Sequence, residues 1–213
     1  MALLAPALLL TFIAAGESAL WGDRRATLFV QDHLPAWLEP LTSATNFLGH
    51  FEVMAVIALA AAVILTFIRG ISEAGFVVLG LSGWLANVTL KNLAESPRPP
   101  LELAEVTASG FGFPSGHVMG TTVVLATLAY VLFRHSSPRW QVAAGAAVAL
   151  TAIITGLGRV HVGAHWPSDV LGAWLWAAVW FLAILTVWRI FSRSPRPNTL
   201  PPAAPQRPRA PSA

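Results

Sequence analysis

The sequence has no cysteine and few charged residues. Only 11% of its 213 residues are Asp, Glu, Lys or Arg, whereas 55% are hydrophobic and the mean hydropathy is +0.65. The absence of cysteine excludes disulfide bonds, iron–sulfur ligation and thiol catalysis. A soluble domain carries about a quarter charged residues, so this composition predicts a membrane protein. The length leaves room for one compact helical bundle.

The small net charge also limits the class of partner. The formal charge of +3 comes mainly from arginines in short loops and near the C-terminus. Nucleic-acid binding would need a continuous basic face, so we expect no nucleic-acid partner. The arginines are better explained by membrane orientation.

Six apolar stretches are candidates for membrane-spanning helices, since crossing a hydrocarbon core of ~30 Å takes about 20 apolar residues. They lie near residues 2–20, 51–68, 71–90, 118–133, 142–157 and 170–190. The first is the weakest, because Glu17 and Ser18 interrupt its end. It could instead be a signal peptide cleaved near residues 14–16, but no Lys or Arg precedes the apolar run. The pattern therefore predicts an all-α membrane protein with a bundle of six transmembrane helices.

The composition divides the chain into three parts. Residues 1–50 would hold the first transmembrane helix and an outer loop, in which Trp21, Pro35 and Trp37 suit an interfacial amphipathic segment. Residues 51–191 would form the helical core. Residues 192–213 are rich in Pro, Arg and Ser and predict a disordered cytoplasmic tail.

Three polar segments interrupt the apolar sequence, each at the end of a predicted span. The first is KNLAESPRP at residues 91–99, the second PSGH at 114–117, and the third RVHVGAHWPSD at 159–169. If the N-terminus is inside, counting helices places all three on the outer face. Outside these segments, eight arginines then lie inside and two outside, as the positive-inside rule requires.

The first polar segment offers two cations. A lone lysine at a helix end, such as Lys91, is usually a snorkelling anchor. Arg98 differs, because Pro97 and Pro99 hold its backbone extended and so direct the guanidinium. Arg binds phosphate with two parallel hydrogen bonds and Lys binds it as a point charge, so the pair suits a phosphoryl group.

The second polar segment leads into the fourth span. Ser115 is a natural N-cap, Gly116 lets the backbone approach a ligand, and free amides at the helix start form an anion site. A plain capping turn would explain Ser115 and Gly116 but not His117. A histidine beside an anion site suits a general acid.

The third polar segment combines a histidine with a carboxylate. Pro167 fits the first turn of the last helix, and the Asp169 carboxylate can reach back to the ring of His165. Such a contact fixes the tautomer and leaves the other ring nitrogen free to attack phosphorus. A polar interfacial turn closed by a cap is the alternative explanation. Arg159 would add a third cation. The remaining histidines are interpreted as interfacial (His161) or as loop and boundary residues (His33, His50 and His135).

Taken together, the three segments resemble the three-part signature of the type 2 phosphatidic acid phosphatase (PAP2) superfamily. The matching pattern is Lys91-x6-Arg98-Pro99, then Pro114-Ser115-Gly116-His117, then Arg159-x5-His165-x3-Asp169. The resemblance covers residues 51 to 190 and implies a bundle of the acid phosphatase–haloperoxidase type. The apolar spans exclude a soluble haloperoxidase. One departure is Gly158, where the family usually has serine, which implies a weaker or altered grip on phosphate.

The resemblance implies a two-step hydrolysis that needs no metal and no cofactor. His165 would attack phosphorus to give a phosphohistidine, with Asp169 orienting its ring. His117 would protonate the leaving oxygen and then activate the water that releases phosphate. The implied phosphate-binding groups are Lys91, Arg98, Ser115, Gly116 and Arg159.

We expect a lipid phosphate as substrate, at the outer face of a bacterial inner membrane. A polyprenyl diphosphate such as undecaprenyl diphosphate is favoured, because the chain is small and carries no added domain. A glycerolipid such as phosphatidic acid or phosphatidylglycerol phosphate is the alternative, and a lipid A phosphatase a third. The loop at residues 100–113, with Glu102 and Glu105, would shape access for the headgroup. The oligomeric state stays open.

Two other classes of protein compete with this interpretation. A transporter or channel would also place charged residues at helix ends, although here they cluster on one face and not through the midplane. A zinc hydrolase could use His117, His165 and Asp169, but Asp169 is better placed as a histidine partner.

Overall fold

A computed structural model describes residues 2–16 and 19–192, and in those ranges the chain forms nine α-helices and two short 3-10 helices, with no strand. The α-helices are α1 (Leu4–Ala14), α2 (Asp23–His33), α3 (Glu39–Leu48), α4 (Phe51–Ile68), α5 (Ile71–Leu79), α6 (Ser82–Ala94), α7 (Gly116–Phe133), α8 (Pro138–His161) and α9 (Pro167–Ser192). The 3-10 helices are Ala36–Leu38 and Leu101–Leu103. The predicted all-α class is confirmed. The predicted tail lies outside the described residues, apart from Ser192, which ends α9.

Five stretches of the described chain are long and apolar enough to cross a membrane: α4, the pair α5 and α6, α7, α8 and α9. Large apolar side chains such as Phe67 and Ile64 of α4 are exposed on their outer surfaces. Because these helices are apolar on the outside as well as the inside, they fit a lipid environment. The chain is a multi-pass membrane protein.

The first predicted span differs from the prediction, since α1 is an 11-residue helix. At 1.5 Å per residue it covers roughly 16 Å, about half of the hydrocarbon core. It packs against α9, where Trp176 Nε1 donates to Thr11 Oγ1 (2.9 Å). Beyond it, Gly16 N donates to the Ala94 carbonyl at the end of α6 (2.9 Å). The predicted six full-length membrane crossings are therefore not confirmed, because α1 is too short to cross the hydrocarbon core by itself.

Helix α7 lies at the centre of the bundle and contacts α4, α5, α6, α8 and α9. The indole of Trp84, on α6, covers Gly120 of α7 so closely that no Cβ would fit there. On α9, Gly172 similarly makes room for the buried ring of Phe113. These close approaches bring the chain just before α7 against α9, where the second and third polar segments meet.

The predicted outer loop contains two helices, α2 and α3, that cover one end of the bundle. Asp23, at the start of α2, accepts hydrogen bonds from Ser168 N (2.9 Å) and Ser168 Oγ (2.6 Å). Gln31 Nε2 donates to the carbonyls of Leu103 (2.8 Å) and His161 (3.0 Å). These bonds tie α2 to the ends of α8 and α9.

We expect Asp23→Ala to destabilise the protein by about 1–3 kcal/mol, because it leaves two buried donors of Ser168 without an acceptor. Thermal unfolding of the detergent-solubilised protein measures the effect. Asp32→Ala is the matched control, since Asp32 lies on the same helix and is exposed. Equal melting temperatures for the two variants would show that the Asp23–Ser168 contact does not hold α2 in place.

Candidate active site

The three polar segments meet at the end of the bundle that α2 and α3 cover. They surround a cavity of about 560 Å³. The sequence-predicted residues that line it are Lys91, Arg98, Gly116, His117, Arg159 and His165. Ser115 and Asp169 are fully buried behind them. The structure thus brings all eight predicted site residues into one region.

The third polar segment holds His165 rigidly. Its side chain is 2% exposed, and Nδ1 lies 3.1 Å from Asp169 Oδ2. The same oxygen accepts the Trp166 N–H (3.0 Å), which fixes the carboxylate. Because a carboxylate only accepts, the His165 proton belongs on Nδ1, and Nε2 keeps its lone pair toward the cavity. The predicted reach of Asp169 to the His165 ring is what the structure shows.

The backbone before His165 makes a tight turn that only glycine allows. Gly163 has φ +66°, and a Cβ there would collide with the Leu103 carbonyl. The amides of Ala164 and His165 both donate to the Arg159 carbonyl (3.0 and 3.2 Å). This turn sets the His165 ring at the cavity wall.

Burial and surrounding cations keep His165 neutral. Burial lowers the pKa of His165 well below its usual 6.5, and the charges of Lys91, Arg98 and Arg159 lower it further. Burial also lowers the pKa of the Arg98 guanidinium below its usual value. At neutral pH the imidazole is therefore unprotonated on Nε2, as a nucleophile must be.

Arg98 lies against the free nitrogen of His165. Its Nη1 is 3.1 Å from His165 Nε2 and donates to the Ala164 carbonyl (2.7 Å). Its Nε donates to Gly110 O (3.0 Å) and its Nη2 to Ser109 O (3.1 Å). The guanidinium is directed, as the flanking prolines predicted, and carbonyls of the 109–112 segment hold it there.

Lys91 is held by the same segment. Its Nζ donates to the carbonyls of Phe111 and Gly112, the second at 2.9 Å. One turn earlier on α6, buried Asn87 donates to the Pro114 carbonyl (3.0 Å). Helix α6 thus fastens the chain that leads into α7, and Lys91 is more than a snorkelling anchor.

Ser115 corrects one prediction. It occupies the N-cap position of α7, but its hydroxyl makes no capping hydrogen bond. Oγ is buried without a partner among the described residues, while Ser115 N donates to the Asp169 carbonyl (3.1 Å). The cap was expected from the preference of serine for this position. Here the hydroxyl stays available for another acceptor or donor.

Among the other polar atoms that are buried without a partner in the described chain are His117 Nε2 and Arg159 Nε. Both residues line the cavity. Buried polar groups are almost always satisfied, so such atoms beside one cavity mark a place where a polar ligand would bind. With Ser115 Oγ, they fit an oxyanion.

Two functional contacts come from residues that the sequence did not indicate. Arg159, 7% exposed, donates from Nη1 to Asn46 Oδ1 of α3 (2.6 Å). His50, expected to be a loop or boundary residue, lies edge-on to His117 with ring centroids 5.0 Å apart and lines the cavity. Gly49 permits this approach, since a Cβ there would lie 2.5 Å from His117 Cδ2.

The departure at Gly158 has a steric cause. A Cβ at this position would lie 2.8 Å from Thr42 Cβ of α3. Glycine therefore lets α3 pack directly on α8, which brings Asn46 to the Arg159 guanidinium. A serine in this position would push α3 away.

The comparison with known families agrees with this geometry. A model of the PAP2 superfamily matches residues 74–194, which is more than half of the chain. The chain belongs to the PAP2 superfamily.

Curated relatives match a shorter part of the sequence. Phosphatidylglycerophosphatase B of Bacillus subtilis is 38% identical over 92 residues, which are 41% of this chain and 44% of that protein. An undecaprenyl-diphosphatase of Sulfolobus acidocaldarius is 34% identical over 76 residues, 36% of this chain and 33% of that protein. Undecaprenyl-diphosphatase BcrC of B. subtilis is 31% identical over 100 residues, 45% and 47% of the two chains. The matches thus span less than half the length of these relatives.

Solved structures support the fold. The transmembrane PAP2 type phosphatidylglycerolphosphate phosphatase of B. subtilis aligns with a TM-score of 0.79 at 23% identity, covering 91% of this chain and 98% of that one. LpxE of Aquifex aeolicus aligns with a TM-score of 0.57 at 21% identity, covering 77% and 94%. At these identities the likeness establishes the fold alone.

The zinc alternative gains no support from the side chains. Within residues 2–16 and 19–192, no group of three or more His, Asp or Glu residues is placed to hold a metal ion. Asp169 instead uses one oxygen for His165 and Trp166.

We expect Gly158→Ser to destabilise the protein by about 1–3 kcal/mol, since the added atoms overlap Thr42. Thr42→Gly should recover part of that loss in the double variant, which a double-mutant cycle on thermal unfolding measures. Gly145→Ser, in the same helix, is the control, because no atom lies within 4 Å of a Cβ there. Additive effects of the two substitutions would contradict the packing explanation.

Proposed function

We propose that the protein is a lipid phosphate phosphatase that works through a phosphohistidine on His165. The observation that carries the proposal is the His165–Asp169 pair, whose free Nε2 faces a cavity bordered by Lys91, Arg98 and Arg159. A neutral, oriented imidazole beside three cations is suited to attack a phosphorus atom whose oxygens the cations hold.

In the first step, the lone pair of His165 Nε2 attacks phosphorus and the bond from phosphorus to the leaving oxygen breaks. The electron pair goes to that oxygen, which takes a proton from His117. The ring becomes a cationic phosphoimidazolium, and the Asp169 carboxylate stabilises it through the Nδ1–H. His117 Nε2 is suited to this role, because it is buried without a partner at the cavity.

In the second step, a water attacks the phosphohistidine and gives its proton to His117. The nitrogen–phosphorus bond breaks, its electron pair returns to Nε2, and phosphate leaves. His117 then carries the proton needed for the next cycle.

The phosphate-binding groups act by being fixed in advance. Lys91 and Arg98 are already bound to backbone carbonyls, so they need little reorganisation when charge develops on the phosphoryl oxygens. Arg159 Nε, Ser115 Oγ and the Gly116 amide supply further donors. Preorganised donors of this kind are commonly worth ~3 kcal/mol each.

The cavity also supports a lipid substrate. Its wall includes the apolar side chains of Phe51, Trp84 and Val106. Phe51, in the first turn of α4, and Trp84, in the first turn of α6, meet edge to face with ring centroids 5.5 Å apart. A substrate could keep its phosphate among the cations and its tail along these rings.

Among lipid phosphates we propose undecaprenyl diphosphate first, and two relatives named undecaprenyl-diphosphatase support this choice. A phosphatidylglycerol phosphate or phosphatidic acid phosphatase is the second candidate. The phosphatidylglycerophosphatase B match, at 38% identity, favours it.

The location and organisation are part of the proposal. We place the protein in a bacterial inner membrane with the site on the periplasmic face and α1 as a sixth, short membrane helix. Residues 51–191 would then be the catalytic core, with residues 1–50 beside and above it and residues 192–213 as a cytoplasmic tail. The arginines at the end opposite the site, Arg69, Arg134 and Arg189, agree with the positive-inside rule.

A transporter or channel is the non-enzymatic alternative. The ionisable residues of the described spans argue against it, since they lie near the helix ends and not across the midplane.

Phosphate release from purified protein in detergent with EDTA, over undecaprenyl diphosphate, phosphatidylglycerol phosphate and phosphatidic acid, tests the reaction and ranks the substrates. We expect His165→Ala to lose at least ~10³-fold in rate, because the nucleophile is gone. His33→Ala is the control, because His33 is exposed and does not line the cavity. Normal turnover by His165→Ala would overturn the mechanism.

Covalent trapping tests the intermediate. The substrate is p-nitrophenyl phosphate with a radiolabelled phosphoryl group, because its leaving group needs no proton. His117→Gln should accumulate the labelled phosphoprotein, detected after an alkaline quench, since its second step is slowed. The label should be absent in His165→Ala. Label retained in the His165 variant would place the nucleophile elsewhere.

The acidic limb of the pH profile should lie below 6.5, because burial and nearby cations lower the pKa of His165. Activity is lost as pH falls through that lowered pKa, where Nε2 becomes protonated. Measuring kcat/KM from about pH 4 to about pH 9 reports it for the free enzyme. Circular dichroism at each pH separates this from unfolding, and an acidic limb at or above 6.5 would contradict the expectation.

A further inference from the structure

A second group of charged residues lies at the end of the bundle opposite the candidate active site. Arg69, Arg134 and Arg189 border a cavity of about 580 Å³ together with Glu73 and Trp188. None of these residues takes part in the proposed hydrolysis. The cavity is formed where α4, α5, α7 and α9 end or begin.

The charges in this cavity are not balanced. Arg134 pairs with Glu73, with its guanidinium 4.9 Å from the centre of the Trp188 ring. Among the described residues, Arg189 donates to a neutral group, the Tyr130 hydroxyl, from Nη2 (2.9 Å) and Nε (3.3 Å). Three arginines against one carboxylate leave a net charge of 3 − 1 = +2, with His135 neutral. The cavity thus attracts an anion.

A second, amphipathic cavity lies beside this cationic cavity. It measures about 400 Å³ and shares Tyr130, Arg134 and Arg189 with the first cavity. Farther in, it is lined by Gly145, Val148 and other small or apolar residues of α7, α8 and α9.

A third cavity, an apolar groove also about 400 Å³ in volume, lies next to the amphipathic cavity. It shares Ala129, Phe133, Ala144 and Val148 with the amphipathic cavity and runs between α7 and α8. Along residues 141–150 of α8, only Ala144 and Val148 are even half-buried. The amphipathic cavity by itself thus changes from cationic, at Arg134 and Arg189, to apolar, at Val148 and Phe181.

We propose that the cationic cavity and the amphipathic cavity beside it bind one phosphatidylglycerol molecule from the leaflet opposite the active site. Its phosphate lies at Arg189, which lines both cavities, and one acyl chain lies in the amphipathic cavity between α7 and α8. A buried oxygen of Glu73, Oε2, has no partner among the described residues and accepts a hydrogen bond from the glycerol headgroup. Tyr130 and Trp188 are typical of the membrane interface.

The profile of the cavities selects this ligand. Free phosphate contacts only the arginines and leaves the apolar part of the amphipathic cavity without an occupant, so we expect it to bind far more weakly than the lipid. A neutral lipid such as phosphatidylcholine fills the apolar part, but has no net charge for the arginines and no headgroup donor for Glu73. An anionic phospholipid with hydroxyl groups matches the arginines, the apolar part and Glu73.

Native mass spectrometry of the full-length protein in detergent, titrated with phosphatidylglycerol or with phosphatidylcholine of the same chains, measures the binding. We expect the protein to bind phosphatidylglycerol in preference to phosphatidylcholine. Arg189→Gln should bind phosphatidylglycerol about fivefold more weakly, since one arginine near a lipid headgroup contributes about this much. Arg189→Lys should bind it as tightly as the unchanged protein does. Inorganic phosphate should not compete. Equal binding of the two lipids, competition by phosphate, or an unchanged affinity in Arg189→Gln would overturn the proposal.

A second variant tests the amphipathic cavity without removing a charge. Gly145→Leu fills the amphipathic cavity, and since no atom lies within 4 Å of a Cβ there, it should fold and gain helix propensity. Gly75→Leu on α5 is the matched control, with equally open space and no place in these cavities. We expect Gly145→Leu alone to lose one bound phosphatidylglycerol. Equal binding by both leucine variants would overturn the proposed chain position. Because the readout is binding, a failed phosphatase assay leaves this test unaffected.

Discussion

The carboxylate of Asp169 holds the candidate site together. Oδ2 accepts from His165 Nδ1 and from the Trp166 amide, while the Asp169 carbonyl accepts from the Ser115 amide. One residue in the first turn of α9 therefore fixes His165, the proposed nucleophile, and joins the second polar segment to the third. Gly112 passes so close that a Cβ would lie 2.9 Å from Oδ2, so the loop before α7 is placed against the same group.

Sequence reasoning could find the parts of the site that are local. Asp169 lies in the first turn of α9 and His165 just before that helix, so a carboxylate that reaches back over the helix start predicts their contact. The meeting of the three segments followed from counting spans. Asn46 and His50 could not be found in this way, because they reach the site only through the packing of α3 over α8, which depends on Gly158. The sequence indicates that Gly158 lacks a serine hydroxyl, but it does not indicate that α3 packs on α8 at this position.

Two errors have physical causes. Hydropathy alone extended the first span to residue 20, whereas the helix that forms is 11 residues long and partnered by α9. Ser115 was expected to cap α7 because serine commonly does so, yet tertiary packing turned its hydroxyl away from the helix amides. Local preference was overruled in both cases by contacts between distant segments.

The cations Lys91 and Arg98 are positioned by carbonyls of residues 109–112 and not by side chains. Main-chain acceptors are present whatever the residue. The side chains of Val106, Thr107 and Ala108, which also face the cavity, are thus free to diverge while the electrostatic machinery stays constant. If the protein is the proposed phosphatase, a few substitutions in this loop are enough to change which headgroup it accepts, while the two cations keep their positions.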